Sequence, residues 1–446
     1  MSAGNAVFED FACPRCHGGL GDITEALLCS TCGTAYPIVG GVPCLVDDPA
    51  LWRGLWKARL DDYLDVVAKR LAGLAREADD PNLLAVTRAR LRHVHDAVAS
   101  DRRALVELFR ELAPNAGSAA PKLLPGADPR TGDTPVIEYT EHLFRDFVWG
   151  QAEAASALSI VRRVAPGPLG KTAVLGVGTG RLALDVQREL GAERTFGFDI
   201  HPLPLLVTAR LLRGEELELH EYPLAPHSAN DTAVRHRLKG PFSKPENLVL
   251  AFADALRPPL RPGTLDTVIT PWFIDAVAAD VDQTAAAVNR ALRPGGVWLN
   301  FGPLRFQGDL SRLYTIDEVH ELVAASSFEL GTRFAEDVPY FHSPHSGTHR
   351  TDRVFAFAAK KTAEARSSPA RPLFAPWLSD QRLPIPVGSA FAGLQRTSIL
   401  TVGILTMIDG KRSLADIADA LGKQWGIPAE TLVAELRPFL ARLPFD

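Results

Sequence analysis

Thr172-Ala-Val-Leu-Gly176-Val-Gly178-Thr-Gly180 runs from a short apolar stretch into three alternating glycines. A strand ending in such a turn lets backbone approach a ligand. The helical run that follows, Arg181 to Leu190, adds the positive end of its dipole. The spacing is GxGxG rather than the GxGxxG of dinucleotide-binding turns, because position 181 is arginine. That favours S-adenosylmethionine (SAM) over a nicotinamide cofactor, with Gly176, Gly178, Gly180 and Arg181 at the turn. Such a turn needs support from the strands that follow. Thr195-Phe-Gly-Phe-Asp199 is a short strand ending in a carboxylate, placed to accept from both ribose hydroxyls. Leu248 to Ala253 is a third strand, and Asp254 after it is placed to accept from an adenine amino group. Asp266 to Pro271 is a fourth, Leu292 to Asn300 turns into a fifth, and Arg353 to Ala359 is the last. Strands alternating with helices predict a Rossmann-like α/β sheet with its ligand at the carboxyl ends of the strands.

The whole chain has 446 residues, which suggests roughly three domains. Its net charge of −5 argues against a generally cationic nucleic-acid binder. No apolar run is long enough for a membrane span, and no secretory signal is visible, so the expected compartment is the cytoplasm. All five cysteines lie within the first 44 residues. Cys13-Pro-Arg-Cys16 and Cys29-Ser-Thr-Cys32 are two CxxC knuckles, and Gly33 follows the second. Each knuckle presents two thiolates at one turn, and two knuckles complete a closed tetrahedral zinc site. A redox-sensitive disulfide pair is the alternative. Residues 1–48 form this ribbon and carry net charge −5 by themselves, which points to contact with protein rather than phosphate backbones.

Residues 49–112 are expected to be helical, with Leu60, Leu64, Val67 and Leu71 at helical spacing and Ser100 as the cap of a third helix. Residues 113–135 and 361–380, rich in proline, glycine or serine, are expected to be linkers around a catalytic domain at 136–360. Residues 381–446 read as an extended segment followed by helix-turn-helix. Ser413 to Asp416 has the capping-box form, Gly422 ends that helix, and Pro438 kinks the next.

The stretch Tyr36-Pro-Ile-Val-Gly-Gly-Val-Pro-Cys-Leu45 resembles the small zinc-ribbon family that partners or precedes methyltransferases. The central region resembles the carnosine N-methyltransferase family, a class I SAM-dependent group with a seven-stranded core. Gly176-Val-Gly-Thr-Gly-Arg-Leu-Ala183, Tyr222-Pro223 with Ser228-Ala-Asn-Asp231, Trp272-Phe-Ile-Asp-Ala276, Leu292 to Leu304 and His142-Leu-Phe-Arg145-Asp-Phe147 carry the likeness. It covers about residues 138–360. The resemblance implies methyl transfer from SAM to an imidazole nitrogen. Asp275 matches the family's acid, which would accept from the nitrogen that does not attack; a capping role after the strand is the structural alternative. Trp272 and Phe273 would wall the ring's slot, or belong to the core. Arg145 matches the arginine that holds the SAM carboxylate, and Pro271 lies beside the cofactor. His142 replaces a glutamine that contacts SAM.

The departures lie on the substrate side. Gln307 stands where the family has histidine, and Tyr340, His342, His345 and His349 replace a tyrosine cluster. A substrate other than carnosine is therefore expected, with Gln307, Tyr340 and His349 in its pocket and the histidine loop as a lid rather than a metal site. The C-terminal pattern resembles the peptide chaperone of pyrroloquinoline quinone biosynthesis, a winged helix that adds a peptide as an edge strand. The first expectation is an imidazole N-methyltransferase acting on a small molecule or peptide, without nucleic acid or membrane partners. Methylation of another amine or of a nucleic-acid nitrogen, and a SAM-binding regulator, are the alternatives.

Overall fold

The computed structural model describes residues 9–23, 25–114, 136–240, 245–277, 279–366, 372–386 and 403–441. The expected linker at 113–135 lies almost wholly outside them, as do 367–371 of the second linker and 387–402 and 442–446 of the C-terminal region. The chain forms two compact units.

The first unit comprises residues 1–46, 70–108 and 137–370. Its strands are β1 (Leu20–Ile23), β2 (Ala26–Cys29), β3 (Ala35–Val39), β4 (Val42–Leu45), β5 (Lys171–Leu175), β6 (Arg194–Asp199), β7 (Leu217–Glu221), β8 (Val234–Leu238), β9 (Leu248–Ala253), β10 (Leu265–Pro271), β11 (Leu292–Gly302), β12 (Phe328–Tyr340) and β13 (Arg350–Lys361). The main sheet has the order β1-β2-β3-β4-β9-β6-β5-β10-β11-β13-β12. From β9 to β11 neighbouring strands are parallel, and β13 lies antiparallel between β11 and β12. Strand order reverses beside β5, and that switch point opens a crevice at the carboxyl ends. This is the seven-stranded Rossmann-like core. Its buried strands read as continuous apolar runs because both faces are covered, as in β9, where all six residues are buried.

The zinc ribbon extends the same sheet. β4 pairs in parallel with β9, Cys44 opposite Phe252 and Leu45 opposite Ala253. The ribbon also grips the core ahead of its knuckles. Phe11 is fully buried edge-on to Phe196 and Phe198, and Asp10 accepts from Lys171 Nζ at 2.8 Å and Arg194 Nη1 at 2.9 Å. Part of the ribbon's acidity is thus spent on contacts within its own chain. Cys44 is fully buried, as a small apolar strand residue.

Helix α1 (Pro49–Ala78) belongs to the second unit over residues 49–69 and to the first over residues 70–78. Helix α2 (Ala85–Leu108) runs straight through Ser100, where the sequence suggests a new start. Ala97, Val98, Asp101 and Leu105 keep one face buried across that point, and burial of the stripe outweighs the serine's capping preference. Asp101 accepts from His220 Nδ1 at 2.8 Å and Tyr222 Oη at 2.7 Å, tying α2 to the β7–β8 hairpin. The remaining helices of this unit are α3 (Thr140–Phe144), α4 (Gln151–Val164), α5 (Arg181–Glu189), α6 (Pro202–Leu212), α7 (Val281–Ala291) and α8 (Ile316–Ala325).

The second unit comprises residues 47–69, 109–136 and 371–446. Leu51 and Leu55 join Trp377, Leu378, Ile404, Ile417, Leu421, Leu432 and Leu436 in its core. Among the described residues its further helices include α9 (Pro376–Ser379), α10 (Leu414–Trp425) and α11 (Ala429–Leu440). The capping box at Ser413 and Asp416 is formed in both directions. Gly422 does not end α10; Gly426 does, in the left-handed conformation at φ 69°. Gly422 instead gives room for a close approach, since a Cβ there would lie 2.7 Å from the Ile427 carbonyl oxygen. No helix among the described residues is long and apolar enough to cross a membrane.

Candidate functional site

The carboxyl ends of β5, β10 and β11 open into a cavity of about 430 Å³. Gly176, Gly178 and Gly180 all have left-handed φ, 64°, 55° and 77°, which disfavours any residue with a Cβ. A Cβ on Gly176 would fall 2.4 Å from Phe273 Cδ2, whereas one on Gly178 would meet nothing within 4 Å. The first glycine is therefore needed for packing, and the second leaves its backbone open to a ligand. Asp199 accepts from Gly178 N at 2.8 Å and His201 N at 2.9 Å. Burial pushes its carboxyl above the usual carboxylate range.

α3 passes directly into a π-helical turn, Arg145–Trp149. Such single turns are rare and re-aim side chains. Here the turn sends Arg145 and Asp146 into the cavity, joined by a two-pronged ion pair at 2.7 and 2.9 Å. Thr179 Oγ1 donates to Asp146 as well, so the arginine is anchored to the glycine turn. Burial alone would raise the Asp146 pKa, but Arg145 and Thr179 hold it below the usual range. Arg181 is locked differently from a ligand-facing arginine: it donates to Asp185 at 2.8 Å and to the Asp146 carbonyl at 2.6 Å.

His142 packs among Tyr139, Phe341 and Tyr340, with Nε2 3.4 Å from Tyr340 Oη. Its Nδ1 is closed off from solvent and has no partner among the described residues. A buried polar atom left open at a cavity wall suits a ligand group. Burial, followed by the charge of Arg145, pushes the imidazole pKa down to about 3. An unfolded histidine titrates near 6.5, so between that pH and about 3 the unfolded chain binds a proton that the folded chain excludes. Stability therefore falls as pH falls through this window, by at most about 1.4 kcal/mol per pH unit from this group. In His142→Asn the decline of the urea midpoint between pH 6 and 4 should be shallower; a slope equal to the parent's would refute this placement.

On the other side of the cavity stand Pro271, Trp272, Asp275, Gln307 and Tyr340. Trp272 is held at φ 46°, its N–H donating to the Phe301 carbonyl at 2.8 Å, and its ring lies 5.5 Å from Tyr340 at 38°. Asp275 caps no helix among the described residues; Asp280 is the N-cap of α7. Asp275 Oδ2 accepts from Arg305 N at 2.6 Å in the loop after β11. Glu153 on α4 accepts from Phe341 N and His342 N, fixing the start of the histidine loop.

Several expected site residues fall elsewhere. Phe273 is buried beneath Gly176 and belongs to the core, not the slot wall. Asp254 accepts from Leu256 N at 2.9 Å and, like Gly180 and Asp199, does not line the cavity. His349 stacks on His342 at 4.7 Å, and its Nε2 meets the Ser343 carbonyl, away from the cavity. The three loop histidines form no metal-binding group among the described residues. Asp146, Thr179, Tyr139, Glu153, Arg305 and Arg350 line the cavity without having been singled out. Only Asp146 had a local signal, its place beside Arg145.

At the ribbon, the Sγ atoms of Cys13, Cys16, Cys29 and Cys32 all lie within 4.8 Å of one another. Thr31 N and Cys32 N point at Cys29 Sγ, and Tyr36 Oη lies 2.9 Å from Cys13 Sγ. Hydrogen bonds from Thr34 pull the Cys32 thiol down to about 6, whereas at Cys16 the Gly18 hydrogen bond is outweighed by the neighbouring cysteines, which push that thiol up. Four sulfurs with backbone support fit a closed, structural zinc site.

A family model described as Trm112p-like protein matches residues 11–41. No curated protein matches the chain. Among solved structures, one from the complex between the Haloferax volcanii Trm112 methyltransferase activator and its candidate methyltransferase is similar at 15% identity. It covers 52% of this chain and 98% of that one, with a TM-score of 0.36. Phosphoethanolamine N-methyltransferase 2 of Haemonchus contortus is similar at 18% identity over 53% of this chain, with a TM-score of 0.34; the match spans 58% of that enzyme's chain. A Thermotoga maritima SAM-dependent methyltransferase, titled a possible histamine N-methyltransferase, is similar at 15% identity over 50% of this chain and 99% of its own, with a TM-score of 0.30.

Proposed function

We propose that the chain is a cytoplasmic SAM-dependent N-methyltransferase acting on an imidazole-type nitrogen of a small molecule or peptide. The observation that carries this reading is one cavity lined by the open glycine turn and Arg145 on one side and by Asp275 beside the aromatic pair Trp272 and Tyr340 on the other, with Asp199 held behind the turn by Gly178 N. SAM supplies an electrophilic methyl group when bound. Asp199 would hold the ribose hydroxyls, the Gly178 backbone would lie against the cofactor, and Arg145 with His142 Nδ1 would face its amino-acid end.

Trp272 and Tyr340 would pin a flat acceptor ring. Asp275 would accept from the N–H of that ring, presenting the other nitrogen's lone pair to the methyl group. As the new N–C bond forms and the S–C bond breaks, positive charge grows on the ring. The fixed carboxylate stabilises it, and the ring's proton leaves to solvent after transfer. The zinc ribbon would act structurally, at the far edge of the sheet. A histidine in a peptide held by the second unit is the alternative acceptor, resting on the helix-turn-helix of α10 and α11.

The test is transfer of labelled methyl from SAM to free histidine, histidine dipeptides and histidine-containing peptides. Product with the label on a ring nitrogen supports the assignment. Label appearing only on other amines, or on nothing in the panel, would remove the imidazole claim.

A further inference from the structure

The charged side chains around the cavity are nearly all matched. Arg145 pairs with Asp146, Arg181 with Asp185, and Arg350 with Asp352 at 2.8 Å while lying 4.2 Å over the Tyr340 ring. Arg305 differs. It lines the cavity and is exposed, and its guanidinium makes no ion pair or hydrogen bond among the described residues. Its main chain is nonetheless firmly placed, because Arg305 N donates to Asp275 Oδ2 at 2.6 Å. Asp275 Oδ1 accepts no hydrogen bond from the described residues.

The backbone around this pair is unusual. Leu304 sits at φ 56° and Trp272 at φ 46°, both left-handed without being glycine. Between them Gly302 allows close approach, since a Cβ there would lie 3.2 Å from Trp272 Cα. Strain of this kind persists where surrounding structure over-determines it, and it collects at ligand sites. It fixes the main chain of residue 305 beside Asp275, and both residues line the cavity.

We propose that Arg305 binds an anionic oxygen group, a carboxylate or a phosphate, carried by the acceptor molecule beside the nitrogen that faces Asp275. The guanidinium fork matches either group in two-pronged fashion. The acceptor is thus of zwitterion-like pattern: an N–H for Asp275 and an oxyanion for Arg305. The placement of the nitrogen rests on the methyl-transfer reading above; the anion site does not.

The test compares the full-length chain with Arg305→Gln and Arg305→Lys. For histidine and histidine dipeptides against their C-terminal amides, the parent should favour the acids at least about tenfold in kcat/KM. The ratio should fall to near one in Arg305→Gln and stay intermediate in Arg305→Lys. A parent ratio near one, or the same ratio in parent and Arg305→Gln, overturns the proposal. A second arm needs no turnover: NMR titrations with acetate and with inorganic phosphate as bare anions. Weakening of about tenfold in Arg305→Gln supports the site, and the tighter of the two anions names the group. Equal affinity in both chains, or no binding to either, overturns it. If no imidazole is methylated yet anion binding depends on Arg305, the imidazole reading falls and the anion site stands.

Discussion

Asp275→Asn should lower the rate of methyl transfer by about 10²- to 10⁴-fold, the range for losing one positioned proton acceptor. The asparagine oxygen still accepts from Arg305 N, so the loop after β11 stays in place. What is lost, on the proposed reading, is the negative charge that would face the acceptor ring. The cofactor's expected contacts at Gly178, Asp199 and Arg145 belong to other elements, so SAM affinity measured by calorimetry should change less than threefold. Turnover at the parental rate would reject the role. A parallel collapse of SAM binding would mean that Asp275 shapes the pocket as a whole. Asp275→Ala removes the acceptor for Arg305 N as well and should be worse than asparagine in thermal stability.

Removing the metal should have the next largest effect. Ribbons of this size have little core of their own, and the free energy of zinc binding is largely their folding free energy, about 10–16 kcal/mol in isolated fingers. In this chain the ribbon also completes the main sheet through β4 and β9, and Asp10 matches two cations of the core. Loss of even a third of that free energy corresponds to a fall in Tm of roughly 5–8 °C for a unit of this size. A chelator, or Cys32→Ser, should produce that fall together with fast amide exchange across residues 9–46. A purified chain that carries no zinc and melts unchanged with chelator would exclude the metal from this role. Oxidation of the knuckles to disulfides would show instead as sensitivity to reductant.

The sequence was most legible where function leaves a local pattern. The buried strands, the strand-to-helix glycine turn and the paired knuckles each occupy a few consecutive residues, and the fold places them as those local patterns predict. The sheet's remaining strand, β12, was hidden because Phe328–Tyr340 is half polar, and its alternation is broken by a register shift opposite β13. The β7–β8 hairpin was equally obscure: its charges are satisfied across the pair, with Arg237 on Glu216 and Lys239 on Glu216. At the site, the parts that escaped notice are those set by distant partners. The π turn depends on what Arg145 and Asp146 meet, and Glu153 acts on backbone nearly 190 positions away. Ser100 and Gly422 misled for the converse reason, since a capping residue and a glycine say nothing about whether the buried face continues past them.

The pairing of β4 with β9 has one more consequence. A parallel sheet ending at β9 would present a long apolar strand with unpaired main-chain groups, an invitation to self-association. The ribbon pairs with the carboxyl end of that rim, through Cys44 and Leu45, and moves the sheet's border outward to β1, four residues long and containing Gly21 and Asp22. Because the covering strand is tethered, its local concentration does not depend on how much protein the cell makes. The cysteine centre thus doubles as an aggregation guard: loss of the metal is expected to make the chain sticky before it makes it inactive.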